Sequence, residues 1–205
     1  MRNSKYKNII FDLGGVLVNW KPEEIIADIF KKTKIKPLKN WNDFAKSDAW
    51  LNLDKGIITR QEAIEELNIL YDYDLNDLTV FCKHVHKYLF PLSKGRKIFD
   101  LIKSRGYKTY ILSNFQDQTF QESKHQYDFL NKVDGAVYSY QVKSIKPEPQ
   151  IYQTLLTKYN LKPQECIFID DIPENIIGAL NCGMEGIVCK NHAFVLQELK
   201  RLGVV

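Results

Sequence analysis

The stretch KNIIFDLGGVLVNW, residues 7–20, decides the fold. The run Asn-Ile-Ile-Phe at 8–11 stops at a lone carboxylate, Asp12, on a loop that carries Gly14 and Gly15. A short apolar run closed by polar and glycine residues is the pattern of a strand buried in a parallel sheet. Such sheets bind ligands beyond the carboxyl ends of their strands, which is where Asp12 falls. Chemistry at such a point often uses a second carboxylate. Two residues on, where it would be sought, stands Gly14.

The same pattern recurs at 109–112, 136–138, 166–169 and 186–188, with helical periodicity between. Ser93 is expected to cap a helix carrying Ile98, Leu101 and Ile102. Ile151, Tyr152, Leu155, Leu156 and Tyr159 mark one face of a second helix. Ile176, Ile177 and Leu180 mark a third, closed by Gly183, and a last helix covers 192–202. Alternating strand and helix implies an α/β fold with a doubly wound, Rossmann-like parallel sheet.

Residues 19–91 break the alternation and hold no strand pattern. Ile25, Ile26, Ile29 and Phe30 share a helical face, and Thr59 with Glu62 forms a capping box ahead of Ala63, Ile64, Leu67 and Leu70. Residues 75–89 read as a further helix, with Trp41, Phe44, Trp50 and Leu51 as core of this region. So long a stretch is an inserted helical subdomain rather than a loop, and since it emerges just after Asp12 it is expected to cover that residue. The expected division is an α/β catalytic core of 1–18 and 92–205 with a cap of 19–91.

Composition narrows the partners. The chain has 205 residues, 44% apolar and 26% charged, with a net charge of +4. Its lysines are dispersed, so no nucleic-acid stripe is indicated. No apolar run reaches the roughly 18 residues a membrane helix needs, and the N-terminal run is too short for a signal peptide. Cys82, Cys166, Cys182 and Cys189 lack metal-binding spacing and read as buried free thiols, which suits the cytoplasm.

The residues that follow the strands carry the chemistry: Asp12, then Ser113-Asn114, then Asp170-Asp171, with Lys146 at the start of a helix between them. An aspartate at a strand end is more often a turn or cap residue than a catalyst. Together, however, these points put three carboxylates, a hydroxyl and a lysine on one rim. Three carboxylates against one lysine call for a hard divalent cation, and magnesium suits carboxylates that share a site with a substrate phosphate. Ser113 and the backbone N–H groups around Gly14, Gly15 and Asn114 would hydrogen-bond phosphate oxygens. Asp12 would then attack phosphorus, giving an aspartyl-phosphate that water hydrolyses. Among neighbouring side chains, Asn19, Trp20 and Phe115 are candidates to meet a substrate.

The segments IIFDLGGVL, YILSNF, IKPEPQIY and CIFIDDIPENIIGALNCGMEGI stand in this order. With them the chain resembles the haloacid dehalogenase superfamily of hydrolases with an α-helical cap. It resembles the bacterial phosphatase branch that includes α-D-glucose-1-phosphatase and the N-terminal phosphatase domain of soluble epoxide hydrolase. LDKGIITRQEA resembles a cap segment of that branch. The resemblance implies Asp12 as nucleophile, Ser113 as phosphate-binding hydroxyl and Lys146 as stabilising cation. It further implies magnesium held by Asp12, the Gly14 carbonyl and Asp171, with Asp170 as a ligand or as an acid behind the ligands. Asn175 falls where many relatives carry another acid.

Most phosphatases of this superfamily have aspartate where this chain has Gly14, and use it to protonate the leaving alcohol and activate water. A positioned general acid or base is worth about 10²–10⁴-fold in rate. Three readings compete. A magnesium-dependent phosphatase of a small phosphorylated metabolite, a sugar phosphate among the candidates, would obtain its acid–base function elsewhere. A dehalogenase acting on carbon–halogen bonds needs no such acid, but leaves Asp170-Asp171 without a purpose. A weakly active or non-catalytic relative would bind a phosphorylated ligand only.

Overall fold

The computed structural model describes residues 4–33, 45–71 and 74–205. Five strands, β1 (Asn8–Phe11), β2 (Lys108–Ser113), β3 (Gly135–Tyr138), β4 (Cys166–Asp170) and β5 (Glu185–Val188), form a parallel sheet in the order β3-β2-β1-β4-β5. β1 is central, pairing Phe11 with Ile111 on one side and Ile169 on the other. Side chains alternate across the sheet. Ile9 and Phe11 therefore enter one apolar cluster with Ile111, Ile167 and Ile169. Ile10 enters the other with Leu112 and Phe168. Both faces are buried, which is why these strands are continuous apolar runs.

The region between β1 and β2 begins with α1 (Pro22–Thr33), α2 (Asp48–Asp54), α3 (Arg60–Tyr71) and α4 (Leu75–His84), the last continued by a 3₁₀ turn at Val85–Tyr88. Ile25, Ile26, Ile29, Trp50, Ile64, Leu67 and Phe81 make an apolar cluster of their own. The capping box forms: the Thr59 N–H donates to Glu62 Oε2 at 2.7 Å and the Glu62 N–H to Thr59 Oγ1 at 3.2 Å. Trp41, Phe44 and the side chain of Phe30 lie outside the described residues. The chain leaves and re-enters the sheet through one short ribbon, in which Asn19 N–H donates to Phe90 O at 2.8 Å and Leu92 N–H to Leu17 O at 2.8 Å.

The remaining helices are α5 (Ser93–Ser104), α6 (Asp117–Ser123), α7 (Ser139–Val142), α8 (Pro149–Lys158), α9 (Pro173–Asn181) and α10 (His192–Arg201). Three expectations are corrected here. Leu92 rather than Ser93 is the N-cap of α5, and no side chain caps it. Leu70 is exposed. The buried arc of α9 is Asn175, Ile176, Gly178 and Ala179, while Ile177 and Leu180 face solvent. Tyr152 decides the last case. A Cβ at Gly178 would lie 2.8 Å from its hydroxyl, so only the glycine side of α9 can approach α8 that closely. Cys82, Cys166 and Cys189 are buried free thiols, and Cys182 is half-buried. Among the described residues no helix is long and apolar enough to cross a membrane.

Candidate active site

The strand order reverses direction between β1 and β4, since β2 and β3 lie to one side of β1 and β4 and β5 to the other. Ligands bind at such a switch point. The ends of these two strands bring Asp12 beside Asp170 and Asp171, whose ligand oxygens lie within 4.8 Å of one another. Lys146 reaches in from the segment before α8. Its Nζ lies 2.8 Å from Asp12 Oδ1 and 2.6 Å from Asp170 Oδ2. The contact to Asp12 is an ion pair, because Asp12 Oδ1 has no well-directed hydrogen-bond partner.

Asp170 is fully buried, and its oxygens are committed. Asn175 Nδ2 donates to both at 3.1 Å, and the Ile172 N–H donates to Oδ1 at 2.8 Å. The geometry thus makes Asp170 the anchor of Lys146 and Asn175, and leaves Asp12 and Asp171 facing the cavity. Asn114 clamps the lysine's backbone: Lys146 N–H donates to Asn114 Oδ1 at 2.8 Å, and Asn114 Nδ2 to Lys146 O at 3.1 Å. That side-chain role had no signal in the sequence.

Burial drives the electrostatics. It pushes Asp12 up to about 6, against the pull of Lys146 and a hydrogen bond from Ser113, with the Asp170 charge adding to the rise. It pushes Asp171 up to about 7, helped by Asp12 and Asp170. Burial opposes the charge on Lys146, but the two carboxylates beside it outweigh that and raise its pKa. One lysine among three carboxylates leaves excess negative charge. The donors are all oxygen, and Asp12 Oδ1 is a buried acceptor without a well-directed donor. This set fits magnesium.

Gly15 makes the cluster possible. It has φ +67, and a Cβ there would lie 2.2 Å from Asp171 Oδ2. We expect Gly15→Ala to displace the Asp171 carboxylate and strain the loop, costing about 1–3 kcal/mol. Urea unfolding measures the loss, and an unchanged midpoint together with unchanged metal affinity would contradict it.

Other expected contacts are redistributed. The Gly15 N–H donates to Val18 O at 3.0 Å, so the tight turn consumes a group expected to meet phosphate. Ser113 is buried against Asp12 and does not line the cavity. Asn19 Nδ2 donates to Tyr88 O at 3.0 Å in the connecting ribbon, and Asn19 is not among the residues that line the cavity. Trp20 and Phe115 line the cavity. Trp20 also packs over Gly14, where a Cβ would touch its side chain at 3.4 Å.

The cavity above Asp12 has a volume of about 750 Å³. Its core wall includes Gly14, Asn114, Lys146 and Asp171, and its helical wall includes Trp50, Leu51, Val85 and Asp54. Asp54 escaped the sequence reading. Nothing local distinguishes a carboxylate at the end of a short helix.

A parallel sheet with this acid–lysine cluster at its switch point, roofed by helices, defines a hydrolase with an oxygen-lined metal site. The chain belongs to the haloacid dehalogenase-like hydrolase family, whose model matches residues 6–183. It is 25% identical over 197 residues to the sesquiterpene phosphatase astK of Aspergillus oryzae, covering 96% of each chain. It is 36% identical over 105 residues to mouse bifunctional epoxide hydrolase 2, covering 49% of this chain and 19% of that protein. Its fold matches a haloacid dehalogenase family enzyme of Bacteroides thetaiotaomicron crystallised with magnesium and inorganic phosphate. That match has a TM-score of 0.71 and 25% identity, over 89% of this chain and 93% of that one.

Proposed function

We propose that the protein is a magnesium-dependent phosphatase acting on a small phosphorylated metabolite through an aspartyl-phosphate on Asp12. The observation that carries this reading is the junction of Asp12, Lys146 and Asp171 at the floor of one cavity. In this reading residues 19–91 act as the cap, and 1–18 with 92–205 as the catalytic core.

Asp12 attacks phosphorus while the bond to the leaving oxygen breaks. Lys146 neutralises charge beside the attacking oxygen and keeps Asp12 available as a carboxylate. Ser113 orients Asp12 through its hydrogen bond. Asp12, Asp171 and the Gly14 carbonyl hold magnesium, which when bound neutralises phosphoryl charge. Asp170 fixes Lys146 and Asn175 from behind. The helical roof keeps bulk water from the first step. Water then attacks the aspartyl-phosphate and releases phosphate.

Two substrate classes suit the cavity. Its volume accommodates a sugar phosphate. Its walls at Trp20, Trp50, Leu51, Val85 and Phe115 favour the phosphate of a less polar alcohol. The name of the Aspergillus relative points to that second class. The tandem acids Asp170 and Asp171 speak against carbon–halogen chemistry, which has no use for a cation-holding cluster. The free thiols suit a cytoplasmic setting.

The test is phosphate release from sugar, nucleotide, acyl and terpenyl phosphates. Release with magnesium, abolished by a chelator and restored by added magnesium, is the expected result. No release from any substrate, and no trapped aspartyl-phosphate, would leave only ligand binding.

A further inference from the structure

We propose that Asp54, carried on the helical roof, replaces the carboxylate missing at Gly14, protonating the departing oxygen and then accepting the proton of the attacking water. The inference rests on the phosphatase reading above and supplies the acid–base group it lacks.

Elimination leads to this residue. Among the described residues, the carboxylates lining the cavity are Asp12, Asp54, Asp171 and Glu174. Asp12 is the nucleophile and Asp171 belongs to the metal cluster. Glu174 is exposed in the first turn of α9. Lys146 is locked between two carboxylates, and Lys46 is exposed. Asn114, Gln116 and Thr119, which also line the cavity, do not exchange protons at neutral pH. Among these lining residues Asp54 remains, on the helical wall of the cavity that Asp12 also lines.

A general acid must hold its position. Asp54 does so because the end of α2 and the residues after it are fastened to the core. Ser139 Oγ donates to Asp54 O at 2.6 Å and accepts from the Phe115 N–H at 2.9 Å, in the loop that follows Ser113. Lys143 donates to Gly56 O, and Lys55 pairs with Glu148 at 2.6 Å. Arg60 grips Glu122 with two hydrogen bonds of 2.9 and 2.8 Å and reaches Thr119 at 3.0 Å. Thr119 Oγ1 donates to Gln116 Oε1 at 3.1 Å, which leaves the Gln116 amide to donate to the Asp54 carboxylate. Asp54 is half-buried, and burial pushes its carboxyl up to about 7 against the Gln116 hydrogen bond. Protonated and ionised forms therefore coexist at neutral pH, as an acid–base group requires.

The two steps balance. An Asp12 oxygen bonds to phosphorus as the bond from phosphorus to the leaving oxygen breaks. That oxygen keeps the electron pair and takes the Asp54 proton, leaving an alcohol and an Asp54 carboxylate. Water then attacks phosphorus and gives a proton to Asp54, and the electron pair of the breaking bond returns to Asp12. Phosphate and the starting enzyme result.

The test compares Asp54→Asn with wild type on ethyl phosphate, whose alkoxide needs a proton, and on p-nitrophenyl phosphate, whose phenolate leaves without one. The readout is the single-turnover rate of alcohol or phenol release. A loss of about 10²–10⁴-fold is expected for ethyl phosphate, with a much smaller loss for p-nitrophenyl phosphate. Adding Gly14→Asp to Asp54→Asn should restore part of the ethyl phosphate rate. Equal losses on both substrates without rescue, or no loss on either, overturn the proposal and leave the phosphatase reading standing. Should Asp54→Asn fail to fold, Asp54→Ser carries the same comparison. A wild type that releases nothing from any phosphate removes both readings.

Discussion

Asp12→Asn is expected to eliminate the trapped aspartyl-phosphate and to lower phosphate release by about 10⁴–10⁶-fold, the scale seen when a nucleophile is removed. The amide is isosteric with the carboxylate but cannot attack phosphorus. The variant should nevertheless fold. Lys146 keeps Asp170 at 2.6 Å, so neither group is left unpaired. Stability without magnesium should even rise at neutral pH. Burial lifts Asp12 to about 6 in the folded chain, so its ionised form is a cost that the amide removes. This gain is absent below the usual carboxylate range near pH 4, where Asp12 is protonated in both states, and grows as pH rises through about 6. Phosphate release within tenfold of wild type would show that Asp12 does not attack.

Lys146→Met should damage folding as well as activity. Its Nζ is the shared counter-charge of two buried carboxylates, at 2.8 and 2.6 Å. Truncating one partner of a buried pair costs about 3–5 kcal/mol, because the remaining charge stays out of water. In the variant, Asp12 loses the cation that pulls against its burial, so its folded pKa, already raised, moves further above the unfolded one. The variant is therefore most stable below the unfolded pKa near 4 and weakens as pH rises through the raised value. Urea midpoints of wild type and variant should separate at pH 7 and converge at about pH 4. Release of phosphate should also fall by about 10²–10³-fold from lost charge stabilisation. A variant with the wild-type midpoint at pH 7 and undiminished turnover would refute the central position given to this lysine.

The strands were legible because β1, β2 and β4 are covered on both faces, so Ile9-Ile10-Phe11, Tyr110-Ile111-Leu112 and Ile167-Phe168-Ile169 are continuous apolar runs with turn residues at their ends. The capping box at Thr59 and Glu62 was legible because its partners are three residues apart. The arc of α9 was misread because Ile176, Ile177, Ala179 and Leu180 are all apolar, and periodicity alone cannot say which side meets a neighbour. Tyr152 makes that choice from another helix. The Gly15 N–H was assigned to phosphate because the sequence does not display the tight turn that returns Val18 O to it.

Local order settled one part of this protein. Residues 8–12 form a buried strand ending in a carboxylate, the acids at 170 and 171 end another, and a glycine stands at position 14, because strand periodicity and loop chemistry are written in neighbouring residues. The partners were settled elsewhere. Lys146 divides itself between Asp12 and Asp170, Asn114 holds that lysine's backbone, and Arg60 meets Glu122 across 62 positions of chain. Such pairs leave no periodic trace. They exist only once burial has removed water and obliged each buried charge or amide to find another protein group.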